Sequence, residues 1–113
     1  MTRTLLAVEL TALDNGRYCL GNLADFGEIV YLYKSVPNMW SSSFEGDVLA
    51  QCEQKNFDPD LDFFAVSGIM PLAVLILGTL VDEYGAIKTL LWDRENHKYR
   101  EKIIGRLEPC TTK

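Results

Sequence analysis

Apolar residues along this chain recur at two different spacings, and the switches between them mark its elements. Leu5–Thr11 reads as a strand, and Asp14-Asn15-Gly16 is a turn signal because Asn and Gly tolerate positive φ. Arg17–Leu20 is then the returning strand of a hairpin. After a short turn over 22–27, Glu28-Ile-Val-Tyr-Leu-Tyr-Lys34 is rich in β-branched and aromatic residues. Its apolar positions fall on both faces, which predicts a central strand. Pro37 ends that strand, and a polar loop carrying Trp40 follows. Ser42 and Glu45 stand three apart and fit a capping box. The helix this opens runs from Phe44 to Lys55, with Val48, Leu49 and Cys52 inward. Asn56-Phe57-Asp58-Pro59 stops it. Leu61–Val66 is a buried strand, and Ser67-Gly68 turns into a helix over Met70–Tyr84 with Gly85 as its C-cap. Ala86–Trp92 and Lys98–Ile104 are strands joined by the loop 93–97.

The order is β-β-β-α-β-α-β-β. Its two βαβ units predict parallel strands at 28–34, 61–66 and 86–92, with hairpins adding antiparallel strands outside them. The fold class is therefore α/β, with a mixed sheet and about two helices in one small domain over residues 1–105. Residues 106–113 are expected to form a flexible tail. A length of 113 residues agrees with one domain and one core. A content of 48% hydrophobic residues excludes a disordered chain.

One stretch competes with this reading. Residues 63–81, FFAVSGIMPLAVLILGTLV, contain no charge, which is the length of a membrane span. Ser67-Gly68 and Pro71 interrupt it where a strand-to-helix turn belongs, since Pro favours the first turn of a helix. The strand–turn–helix division is the preferred reading. The N-terminal apolar run is broken by Glu9, so no signal peptide is expected. Cys19, Cys52 and Cys110 lack any CxxC spacing and read as free thiols of a reducing, cytoplasmic compartment. With His97 as the one histidine, no metal set forms, and no cofactor is expected.

The charge is unevenly placed. The chain carries a net −5, and residues 41–62 hold six carboxylates (Glu45, Asp47, Glu53, Asp58, Asp60 and Asp62) against Lys55 alone. Crowding of this kind is not needed for folding, so Glu45, Asp47, Glu53 and the exposed-looking Trp40 are candidate partner-binding residues. Asp58, Asp60 and Asp62 have part of the spacing of a calcium loop but lack its Gly and distal Glu. Lys98, Arg100 and Lys102 alternate along the last strand and share one face. That stripe could hold phosphates, protects an edge, or covers the acidic segment from within the chain.

Two further positions could serve a ligand. Ser67 and Gly68 lie at the carboxyl end of a predicted parallel strand before a helix N-terminus, where anions bind. Asp93 ends the neighbouring strand at the same edge. No GxGxxG, GxxxxGK[ST] or G-x-S-x-G pattern accompanies them, and no catalytic residue is assigned.

Phe57-Asp58-Pro59, Asp62, Gly68, Tyr84-Gly85, Leu91-Trp92-Asp93 and Tyr99 form a pattern similar to small uncharacterised proteins of bacteriophages and mobile elements. The resemblance implies an accessory-genome origin, where many small proteins bind host factors, and it brings no activity with it. Taken together, the expectation is a non-catalytic binding protein with a protein partner. Self-association is also open, and neither nucleic acid nor membrane is expected. The alternative is a nucleotide-binding or small-molecule domain, or a small hydrolase, using Ser67, Gly68 and Asp93.

Overall fold

Leu5, Leu6, Ala7 and Val8 are all fully buried, so both faces of their strand are covered. The computed structural model describes residues 2–9 and 22–105. In it Arg3–Val8 forms β1, which pairs in parallel with β2 (Glu28–Tyr33) on one side and β3 (Phe63–Ala65) on the other. β3 pairs in parallel with β4 (Ala86–Asp93), and β4 pairs antiparallel with β5 (Lys98–Gly105). The sheet order is β2-β1-β3-β4-β5. Helices α1 (Phe44–Gln54) and α2 (Met70–Tyr84) complete a single α/β domain.

Alternation along the strands assigns the two faces. Leu5, Phe64 and Ile87 share a core with Phe44, Val48 and Cys52 of α1 and with Leu72, Ile76 and Leu80 of α2. Leu6, Phe63, Ala65 and Leu90 face the other way, packing with Tyr99 and with Leu23 and Phe26 of a 3₁₀ turn, Leu23–Phe26. Both helices therefore lie on one face and the 3₁₀ turn on the other, over a mixed sheet that is parallel from β2 to β4 and antiparallel at β5.

The charge-free stretch divides as expected, into β3 and α2, with Gly68 at φ +83° between them. No helix among the described residues is long and apolar enough to cross a membrane. Gly85 ends α2 at φ +92°, its N–H bonded to Val81 O at 2.8 Å.

Three expectations are corrected. Glu28–Lys34 was read as a central strand, and β2 instead lies at the edge of the sheet. Its side chains are apolar on both sides because α1 covers one face and the 3₁₀ turn the other. β1, read as half of an outer hairpin, takes the central place. The capping box does not form: Ser43 is the N-cap of α1 without a side-chain bond, and its hydroxyl meets that of Ser41 at 2.9 Å. The turn 14–16, the strand 17–20, Cys19, Cys110 and the tail 106–113 lie outside the described residues.

One buried carboxylate ties the strand starts together. Asp62 is 1% exposed. Its Oδ1 accepts the Arg3 N–H at 3.0 Å, and its Oδ2 accepts the Arg3 guanidinium at 3.1 Å and the Asp58 N–H at 2.9 Å. The same guanidinium reaches Asn56 O, just beyond α1, at 2.6 Å. Asp62→Ala would strand a guanidinium and two amides. It should cost about 3–5 kcal/mol in urea unfolding, and a loss under about 1 kcal/mol would contradict the assignment. Thr4 Oγ1 is buried without a partner, so Thr4→Val should gain about 1 kcal/mol in the same measurement.

Candidate functional site

The carboxyl ends of the parallel strands β1, β3 and β4 meet at one end of the sheet, where open α/β sheets place ligands. Ser67 follows β3 and is nearly buried, and its Oγ accepts the Tyr99 hydroxyl at 2.9 Å. Tyr99 is held in turn by Asn22, whose Oδ1 accepts the Tyr99 N–H at 2.6 Å and whose Nδ2 donates to Tyr99 O at 3.1 Å. The Trp92 ring packs edge-on against Tyr99 at 5.1 Å. Gly68 supplies the positive φ that turns the chain into α2. The Ser67 hydroxyl is thus part of a tie between β3 and β5.

Asp93 sits at the same end but serves its own hairpin. Its Oδ1 accepts the Glu95 N–H at 3.0 Å and the Asn96 N–H at 3.3 Å. Its Oδ2 accepts from Asn96 Nδ2 at 2.7 Å and from the Arg100 guanidinium at 3.0 Å. The Asn96 side-chain bond, followed by that of Arg100, lowers the Asp93 carboxyl to about 2. Ser67 and Asp93 therefore share an edge of the sheet, and each is engaged with a different part of β5 or its hairpin. His97, exposed at φ +53°, packs its ring against Trp92 at 6.5 Å.

The acidic residues fall into three groups. Asp58 and Asp62 bond to backbone N–H groups around the 58–62 turn, which accounts for their Asp-rich spacing. Asp47 accepts the Tyr33 hydroxyl at 2.7 Å. Burial, and then that carboxylate, pushes the Tyr33 phenol well above its ordinary range. Glu45 and Glu53 stand exposed on α1. Arg3 pairs with Asp62 and Arg100 with Asp93, and the Lys98–Arg100–Lys102 stripe lies on β5, at the opposite edge of the sheet from β2, against which α1 packs.

Sequence reasoning missed what Glu45 lies beside. A groove of about 450 Å³ runs between α1 and α2, lined by Glu45, Leu49, Val74, Leu75, Gly78, Thr79, Asp82 and Glu83. Val74 is 60% exposed, and a Cβ added at Gly78 would meet nothing within 4 Å. Leu49, expected inward, is half-buried on the groove wall. The signal available was Val74 and Gly78, one turn apart on a helix too apolar to show which side faces out. Trp40, 86% exposed, lies in the turn that leads to α1.

No family model, curated protein or solved structure matches this chain.

The lowered Asp93 carboxyl fixes a sign. Its contribution to stability is complete above the ordinary carboxylate value of about 3.9 and is lost as pH falls toward 2. Chemical shifts of the Glu95 and Asn96 amides in the folded protein should therefore titrate with a midpoint near pH 2. Asp93→Asn should abolish that titration, and its persistence in the variant would exclude Asp93 as the source.

Proposed function

We propose that this protein is a non-catalytic binding protein whose partner is a protein segment presenting basic residues around apolar anchors. The observation that carries this reading is the α1–α2 groove, with an apolar floor at Leu49, Val74 and Leu75 and carboxylates along its rim. An apolar anchor gains by leaving water, and Glu45 and Glu83 on the rim attract and orient a cationic segment, with Glu53 exposed further along α1. Trp40 adds an exposed aromatic beside the start of α1. A mobile-element origin would make the partner a host protein, met inside the host cytoplasm.

The alternative, a nucleotide-binding or small-molecule domain, or a small hydrolase, rests on the shared carboxyl ends of the parallel strands. Against it, Ser67 and Asp93 are already hydrogen-bonded within the fold.

The test uses two kinds of variant, both at exposed positions. Gly78→Phe fills the groove, and Glu45→Lys with Glu83→Lys inverts part of the rim. Asp47 is left intact because it holds Tyr33. A partner captured from host lysate by the parent protein should be lost with Gly78→Phe. With the double reversal its association should slow at least about tenfold at low salt. A partner retained by both variants would overturn the reading, and nucleotide binding detected by calorimetry would favour the alternative.

A further inference from the structure

The two edges of the sheet are built differently. β5 exposes Lys98, Arg100, Glu101 and Lys102 along its length, which is how soluble sheets discourage edge-to-edge pairing. β2 has Ile29, Val30, Tyr31, Leu32 and Tyr33 in an unbroken run, with charge only at Glu28 and at the next residue, Lys34. Among the described residues no strand pairs with the outer side of β2. Where α1 passes β2, a recess of about 390 Å³ opens toward the carboxyl end of the strand, bounded by Glu9, Tyr33, Lys34, Gln51 and Lys55 among others.

The backbone fixes which groups point outward. Tyr33 O accepts the Glu9 N–H at 2.9 Å, so Tyr33 faces inward along the β1 side. Backbone polar groups alternate along a strand, so Ile29 and Tyr31 also face β1. Glu28, Val30, Leu32 and Lys34 therefore direct N–H and C=O to the open side.

From this we infer that β2 pairs antiparallel with β2 of a second copy of this chain, about a two-fold axis at Tyr31. That register matches outward residues with outward residues: Val30 with Leu32 of the mate, and Glu28 with Lys34 of the mate. Both charged pairs are then of opposite sign and directly opposed. The registers displaced by two residues place Glu28 opposite Leu32, or Lys34 opposite Val30, and lose both pairs. The layer above obeys the same symmetry. Asp47, Gln51 and Lys55 form an i, i+4 column on α1, and Gln51 and Lys55 border the recess. Turned by the two-fold, the polar Gln51 and Lys55 beside β2 face their counterparts in the mate, while Asp47 stays engaged with Tyr33. Self-complementary charge about one axis, Glu28 to Lys34 and Lys34 to Glu28, is what an isologous interface requires.

The experiment is sedimentation equilibrium of the full chain and three charge variants, with amide exchange at two protein concentrations. The parent protein should dimerise, and its Val30 and Leu32 amides should gain protection as concentration rises. Glu28→Lys and Lys34→Glu each convert two attractive pairs into two repulsive ones, and should weaken the dimer about tenfold. The double variant restores both pairs with their signs exchanged and should return to within about threefold of the parent. These positions are exposed, and circular dichroism checks that each variant folds. A parent protein still monomeric at about 1 mM would overturn the proposal. So would Val30 and Leu32 amides protected equally at every concentration, which would mean cover from within the chain. A dimer indifferent to all three variants would overturn the β2 register.

Discussion

The fold depends on one buried charge being answered completely. Asp62 stands where the 58–62 turn enters β3, and its two oxygens take three donors from Arg3 and Asp58. A carboxylate removed from water is tolerated only when its lone pairs are satisfied. Meeting that condition places the start of β1 beside the start of β3, and Arg3 extends the tie to the end of α1. β1 can separate β2 from β3 because its first residue is held there.

Side-chain patterns report faces, and they are silent about edges. This explains which parts of the topology were legible in the sequence. The division of 63–81 into strand and helix was legible because Gly68 and Pro71 are local signals that no tertiary contact overrides. The β4–β5 hairpin was legible from Asp93, whose side chain closes the turn. The exchange of places between β1 and β2 was not. Both strands are apolar on two faces, and whether a third strand lies in the plane leaves no mark on residues that project above and below it. The false capping box has a similar cause: three consecutive serines offer several start points, and Ser41 and Ser43 bond to each other.

The candidate site was half legible. Charge counting found the acidic segment, and the structure divides it by task. Asp47, Asp58 and Asp62 hold structure, while Glu45 and Glu53 are presented to solvent. Nothing in the spacing distinguishes the two kinds, because the distinction lies in distant partners such as Tyr33 and Arg3. The groove itself needed coordinates, since it is formed by two helices whose sequences are separated by β3. Likewise Ser67 was singled out for its place after a strand, and only the fold shows Tyr99 spanning to it.

The central position of β1 has a consequence for how the protein is made. Its guanidinium partner Asp62 lies 59 residues further along the chain. At about 5–20 residues per second, synthesis leaves roughly 3–12 seconds between the appearance of Leu5–Val8 and that of the strand that covers their second side. For that interval four apolar residues, fully buried in the finished protein, wait with at most one neighbour in the sheet. The nascent chain therefore passes through a stage in which its first strand is a hydrophobic segment open to chaperones, and to the same strand on the next ribosome.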